Sequence, residues 1–347
     1  MAPARCSAPA MPVSRIAMPL DPALLRPFWY PVLPLDQLGE APVAVELLGE
    51  ALVLWRGADG EPHAAPDRCP HRSARLSGGS LGANGHLQCP YHGWEFGADG
   101  RCRAIPQQPE RPIPEACRLH TYQAQARYGR VWVCLEPQAR LPLPSFPEEH
   151  DPAQRRIDGF WERWTCSPFR VIENGLDNFH HYFVHRGLLE ATTAQPDPIE
   201  GPIEDTADGF RFRIPLQVHN NAVLQDTLNN DTGTLTVERQ VSWIAPLGLS
   251  LELEWPNGLR QRIVLHAVPT GGDATQISRF YFRNDSEEQV PAAAMVRFER
   301  GLIDQDRAIL TAMAAGLEPW PSGEHLIEAD LPIALMRQRL RELLQPR

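Results

Sequence analysis

No run of about 18 apolar residues occurs in the 347-residue sequence, so no segment reads as a membrane span. Lys/Arg clusters dense enough for a phosphate backbone are also missing. With a net charge of −10 and a pI near 5.7, nucleic acid is excluded as a partner. The seven cysteines are odd in number and scattered, unlike the dense, even framework of a small secreted domain. A reducing, cytoplasmic compartment is the expectation. No G-x-G-x-x-G follows a strand pattern, and neither a Walker loop nor a flavin-type sequence appears, so the chain cannot collect electrons from NAD(P)H itself.

What is present is ordinary for a water-soluble globular protein: 43% hydrophobic and 22% charged residues, with a length that predicts two domains. The first 20 residues are rich in Pro and Ala and lack a signal-length apolar stretch. They read as a disordered tail extending to residue 26, although an organelle-targeting segment has a similar composition.

From residue 27 to 137 the pattern is short strands. Val43–Leu48 and Ala51–Trp55 flank Gly49–Glu50, and Tyr122–Ala126 and Val131–Leu135 flank Tyr128–Gly129–Arg130, which are hairpin signals. PQARLPLPSFPEEH, from Pro137, carries four prolines in fourteen residues and marks the boundary, so residues 138–165 read as a linker. The second domain, 166–347, has a helical stretch over Val171–Arg186. Strands follow near Phe210–Leu216, Thr234–Ile244, Leu249–Trp255, Gln261–Val268 and Gln276–Arg283, then helices from Pro291 to about Leu317 and from Leu331 to Leu344. Strands in succession imply an antiparallel sheet, and the fold class is α+β.

Two segments carry the first constellation. CPHR at 69–72 and CPYHGWEF at 89–96 offer Cys69, His71, Cys89 and His92 from two loops stiffened by prolines at 70 and 90. The same donor set could hold a structural zinc. Zinc fingers, however, pair Cys with Cys and His with His, whereas each loop here mixes the two, as a [2Fe-2S] cluster needs when one iron takes both thiolates and the other both imidazoles.

These motifs resemble those of Rieske domains, and CPYHGWEF is close to the family wording. The resemblance implies that Cys69 and Cys89 bind the buried iron, and that His71 and His92 bind the outer iron that accepts and donates electrons. ENGLDNFHHYFVHRG at 173–187 is similar to the iron-binding segment of Rieske non-haem iron oxygenases, with Asp177, His180 and His185 in the pattern Asp-x-x-His-x-x-x-x-His. By helical geometry alone His181 and His185 share a face, whereas His180 and His185 diverge. The resemblance selects His180, which requires the helix to end or bulge between the two ligands.

The remaining ligand is a carboxylate. After Pro291, Met295, Phe298, Leu302, Ile309 and Met313 form an apolar stripe with one gap, and Asp306 fills it. A buried carboxylate needs compensation, which a metal cation or a partner arginine supplies. DQDRAIL is also similar to the wording around the family's third ligand. Two imidazoles and a carboxylate make a facial triad for Fe(II) with open positions. The resemblance further implies that Asn174 is an amide near this iron, and that Asp177 bridges His180 to His92 of a neighbouring subunit in a ring of three.

The expectation is an N-terminal all-β Rieske domain followed by a helix-grip catalytic domain. The resemblance implies a terminal oxygenase fed by a separate NAD(P)H-dependent reductase or ferredoxin. It would use O2 to hydroxylate or demethylate a small cyclic organic molecule, as vanillate and dicamba O-demethylases and N-demethylases do. Ring-hydroxylating dioxygenases and the chlorophyll-breakdown branch share these motifs. The latter typically adds a C-terminal anchor and a Cys-x-x-Cys, neither of which follows Cys166. An electron-transfer protein with a binding domain is the alternative of another class. Candidate pocket residues are Trp243, Trp255, His219, His266, Asn220 and Asn229, with strand parity unassigned.

Overall fold

The computed structural model describes residues 20–189, 191–195, 198–220, 225, 233–313, 316–320 and 323–345. The tail expected over residues 1–26 lies largely outside this set. Residues 20–26 are packed: Pro22–Leu25 form a turn of 3-10 helix, Leu25 is buried, and the Leu20 amide donates to the Leu317 carbonyl at 2.8 Å.

The N-terminal strands are β1 (Tyr30–Pro34), β2 (Val43–Leu47), β3 (Glu50–Arg56), β4 (Pro62–Pro66), β5 (Ser80–Leu81), β6 (Leu87–Gln88), β7 (Glu95–Phe96), β8 (Cys102–Ala104), β9 (Gln123–Arg127) and β10 (Arg130–Cys134). They form three small antiparallel sheets, ordered β1-β10-β9, β2-β3-β4 and β5-β6-β7-β8. Both expected hairpins are present, as β2–β3 and β9–β10. Their two-residue loops, Leu48–Gly49 and Tyr128–Gly129, hold both central residues at positive φ (53° and 80°, 53° and 67°), the turn whose twist matches the strands.

The C-terminal half is one antiparallel sheet, ordered β11-β18-β17-β16-β15-β13-β12, with β14 added on β15. Its strands are β11 (Arg155–Thr165), β12 (Glu200–Thr206), β13 (Gly209–Arg213), β14 (Leu216–His219), β15 (Thr234–Ile244), β16 (Gly248–Glu254), β17 (Arg260–Pro269) and β18 (Ala274–Arg283). Residues 155–165, read from sequence as linker, are therefore an edge strand paired with β18 from Arg155↔Arg283 to Thr165↔Ala274. A register shift between Asp158 and Trp161 breaks the period-two pattern, which hides the strand in the sequence. The edge strand β12 is exposed along nearly its whole length and has no apolar alternation to read.

The helices are α1 (Pro168–Leu176), α2 (His181–Val184), α3 (Ala292–Leu310) and α4 (Leu331–Leu343). Cross-strand partners in an antiparallel sheet share a face. Odd-numbered residues of β15 to β18 turn toward α1 and α3. Even-numbered residues turn toward the N-terminal half, where Val264, Phe280 and Phe282 meet Trp29, Tyr128, Trp132 and Phe146. Tyr128 stacks on Phe280 at 5.7 Å, and Trp132 meets His266 edge-on at 4.9 Å. Each fully buried aromatic there contributes on the order of 2–3 kcal/mol. A second core joins Val131 and Val133 to Val241, Leu265 and Ala267, so the two halves share apolar packing.

Candidate metal centres and substrate cavity

The two cysteine loops close in the same way. The Cys69 amide donates to the Ala74 carbonyl and Ser73 N–H to the Cys69 carbonyl. Likewise Cys89 N–H donates to Trp94 and Gly93 N–H to Cys89, all at 2.8–3.0 Å. The residue four after each cysteine takes positive φ, 61° at Ser73 and 70° at Gly93. Serine is strained there, and Arg68 Nε donates to its Oγ at 2.9 Å. Each loop thus places a buried cysteine at its base and a histidine at its rim. The His71 and His92 rings lie 4.6 Å apart, and His71 stacks on Trp94 at 4.5 Å.

The donor chemistry fits a two-iron cluster. His92 Nδ1 is shielded from solvent without a hydrogen-bond partner, the state of a nitrogen awaiting a cation. Burial pushes the Cys69 thiol up to about 11, so a thiolate at the base needs a metal beside it. Sulfur inside and nitrogen outside is the Rieske division of ligands.

The second centre starts with a break in the chain. α1 ends at Asp177, whose backbone is extended (φ −76°, ψ 130°). Its Oδ1 accepts from the Phe179 and His180 amides at 2.8 and 3.1 Å, capping a new turn. That turn ends at His185, which has left helical geometry (φ −94°, ψ 33°). The expected helix over Val171–Arg186 is therefore interrupted before His180 and stops at His185, with no bulge between the two histidines.

His180, His185 and Asp306 converge, with one ligand atom from each within 4.8 Å of the others. His180 Nε2 and His185 Nε2 lie 3.7 and 3.4 Å from Asp306 Oδ1. Each ring has an oxygen behind it: Asp177 Oδ1 stands 3.5 Å from His180 Nδ1, and Gln305 Oε1 stands 3.1 Å from His185 Nδ1. The hydrogen bond to Gln305 fixes the His185 ring, the Asp177 carboxylate faces the His180 ring without a hydrogen bond, and both leave Nε2 for a metal. Asn174 Nδ2 donates to Asp306 Oδ1 at 3.4 Å. Among the described residues the close side-chain contacts of Asp306 are with His180, His185 and Asn174, and no arginine forms a salt bridge with it. The donor set is that of a facial-triad iron site.

His181 takes another position. Its ring stacks on His180 at 4.2 Å, its Nε2 lies 3.5 Å from Arg239 Nη1, and burial drives its pKa well below the ordinary imidazole value. Burial also lowers His185, keeping it neutral as a metal ligand must be. Asp177 is held below the usual carboxylate range: burial raises it, and the contact with His180 and the two capping amides outweigh that.

The triad opens into a cavity of about 130 Å3 between the odd face of the sheet and helices α1 and α3. Its walls are mainly apolar, with Leu249, Leu251, Ile263, Leu265 and Ile277 from the sheet. Of the pocket candidates from sequence, Trp255 lines it. Trp243 lies in the core with its Nε1 on the Pro246 carbonyl, His219 is exposed at the end of β14, and His266 sits on the opposite sheet face. Asn220 lies outside the lining, and Asn229 falls outside the described residues. Sequence reading missed Gln261, Arg279, Glu299 and Gln305. The first two needed strand parity, whereas Gln305 is adjacent to Asp306 and was open to notice.

Residues 28–128 match the Rieske [2Fe-2S] domain family, and residues 164–345 match the vanillate O-demethylase oxygenase C-terminal domain family. Methylxanthine N3-demethylase NdmB of Pseudomonas putida is 36% identical over 318 residues, 87% of this chain and 83% of that one. This chain is a Rieske non-haem iron oxygenase. Methylxanthine N1-demethylase NdmA of the same organism is 36% identical over 198 residues, a stretch covering 54% of the oxygenase and about half (55%) of NdmA. The solved structure of the Pseudomonas putida CBB5 NdmA QL mutant with caffeine aligns with a TM-score of 0.80 at 26% identity, covering 93% of this chain and 91% of that one. The oxygenase carries a Rieske [2Fe-2S] cluster and a His-His-Asp mononuclear iron site. Its family works with a reductase and an organic substrate. No helix among the described residues is long and apolar enough to cross a membrane.

Proposed function

We propose that the oxygenase removes a methyl group from nitrogen or oxygen of a small cyclic molecule, with Cys69, His71, Cys89 and His92 holding the cluster and His180, His185 and Asp306 the mononuclear iron. The observation that carries this reading is the triad opening directly into an apolar cavity, where a methyl group can approach. When bound, the cluster relays single electrons and the mononuclear iron activates dioxygen. The substrate methyl C–H, O2, two electrons and two protons give a hydroxymethyl group and water. The hydroxymethyl group then leaves as formaldehyde, and the nitrogen or oxygen keeps the proton.

The chain's own groups set this chemistry up. Gln305 orients the His185 imidazole, Asp177 faces that of His180, and Asn174 steadies the Asp306 carboxylate. The apolar walls limit water beside the reacting methyl. The electron donor is a separate NAD(P)H-dependent reductase or ferredoxin, in a cytoplasmic setting that suits cysteines unpaired throughout the described residues. We also read the assembly as a ring of three, with Asp177 as the crossing point from a neighbour's His92. In support, Asp177 stands 3.5 Å from His180 while remaining partly open to the surface, and Tyr182 and Phe183 in the following turn are exposed.

The test is metal analysis combined with product detection. The reduced protein should hold about three irons per chain, two in the cluster and one in the triad. It should release formaldehyde from N- or O-methylated substrates with matching oxygen uptake. Two irons, unchanged in Asp306→Ala, would leave only an electron carrier.

A further inference from the structure

Besides Asn174, His181 and Arg239 near the triad, the cavity has a polar wall built by α3 and the facing strands. Glu299 precedes Asp306 by seven residues on α3, which places it two turns, or about 10 Å, along the axis on nearly the same face. Both residues line the cavity, Leu302 and Ile303 line the stretch between them, and Phe298 lines it next to Glu299. A flat molecule of about two rings fits that span, with its methyl at the triad and its far edge at Glu299.

Across from Glu299, the sheet replaces two apolar positions with polar ones. Gln261 Nε2 donates to Glu299 Oε1 at 3.1 Å, and Arg279 Nη2 donates to Glu299 Oε2 at 2.5 Å. Behind them Arg283 Nη1 donates to Gln261 Oε1 at 3.2 Å. Glu299 and Gln261 are buried, at 3% and 5% exposure. Burial lowers the pKa of Arg279, but Tyr281, Glu299 and Asp306 outweigh it and keep the guanidinium charged. A buried ion pair is often no more stabilising than apolar residues of the same volume. Stability therefore gives little reason for these groups to interrupt a wall of Leu and Ile.

We propose that Gln261, Arg279 and Glu299 set substrate specificity, selecting an uncharged heterocycle that presents a ring carbonyl beside a ring nitrogen and rejecting aromatic carboxylates. The inference rests on the demethylase reading of the same cavity. Arg279 and Glu299 cancel in charge, so this wall has no net cation to offer an anion. Each Glu299 oxygen keeps an unused lone pair, and Arg279 and Gln261 keep further N–H donors, so donors and acceptors lie side by side. A carbonyl and a ring N–H match that edge. A carboxylate would meet the like charge of Glu299 at low dielectric, and it would draw Arg279 away from an anion already buried. The other cavity arginine, Arg239, lies two strands from Gln261, donates to the Ile214 carbonyl and stands against His181.

The oxygenase with both metal sites filled is titrated calorimetrically without oxygen, using theobromine as the neutral probe and 4-methoxybenzoate as the acid. Theobromine should bind at least about tenfold tighter, and Glu299→Gln should narrow that ratio at least about tenfold by admitting the acid. Gln261→Leu removes the donor to Glu299 Oε1 and the acceptor of Arg283 Nη1 but keeps both charges of the Arg279–Glu299 pair, and should weaken theobromine several-fold while leaving the acid unchanged. Preference for the acid, binding of neither probe, or an unchanged ratio in Glu299→Gln with native cluster absorption and melting overturns the proposal. If Glu299→Gln does not fold, Gln261→Leu decides, and unchanged theobromine affinity overturns it. Formaldehyde in air is read separately. Theobromine bound without formaldehyde refutes demethylation and spares the specificity, whereas formaldehyde from a tighter-binding 4-methoxybenzoate does the reverse.

Discussion

At the scale of single residues, Gln305 is placed to support the candidate metal centre. Its Oε1 faces His185 Nδ1 at 3.1 Å and its Nε2 donates to the Arg186 carbonyl at 3.4 Å, so it ties the helix of Asp306 to the loop of His185. Gln305→Ala should weaken Fe(II) binding about 10- to 100-fold while the cluster spectrum stays unchanged, as read by chelator competition. Equal affinity in the variant would remove Gln305 from that role. The burial of Asp306 was legible beforehand, but the stripe used to find it was partly mistaken. Ile309 and Met313 are exposed, and the buried line runs through Met295, Phe298, Glu299, Ile303, Asp306 and Leu310. A face carrying two carboxylates does not look apolar in sequence, because what offsets them comes from distant strands and loops.

At the scale of elements, the decisive feature is the interruption at Asp177. The residue stops α1 and caps the next turn through two amide hydrogen bonds, which separates the histidine pair from the α1 helical frame. Asparagine caps as well as aspartate but lacks the charge. Asp177→Asn should therefore keep iron content, cluster spectrum and melting temperature while turnover falls sharply. Asp177→Ala should also lose about 1 kcal/mol of stability, seen in denaturant titration. Full turnover in Asp177→Asn would refute its part in electron delivery. The motif named His180, which the structure brings together with His185 and Asp306, but the place of the break was not legible, since an N-cap aspartate in mid-helix looks like any polar residue.

At the scale of the whole molecule, the sheet is shared property: its odd face makes the cavity and its even face packs on the N-terminal half. Because apolar clusters cross the junction, the described chain should unfold in one calorimetric transition, and two well-separated peaks would contradict this. His266 sits in that junction, where burial lowers its imidazole to about 3. The unfolded value is about 6.5, so the stability from keeping His266 neutral is fully present above about pH 6.5. It drains away as pH falls toward 3, by at most about 1.4 kcal/mol per unit. The melting temperature of His266→Gln should fall less steeply than that of the native protein between pH 6.5 and 4, and equal slopes would show that His266 is not responsible.

The sequence by itself determined the identity of the chemistry. The cluster site is built by two short loops, and a Cys-x-His or Cys-x-x-His loop with its proline and turn residue states its donors within a few positions. The hairpins, most long strands and the two long helices were also local matters of periodicity and turn residues. The tertiary structure decided everything that depends on meeting across distance. Asn174 reaches Asp306 over 132 positions, and Glu299 finds Gln261 over 38 and Arg279 over 20. Which strand face these side chains occupy is fixed by register, and a shift of one residue would have turned Gln261 and Arg279 away from the cavity. Local spacing chooses what can bind a metal, whereas the packing of sheet against helix chooses what is placed beside it.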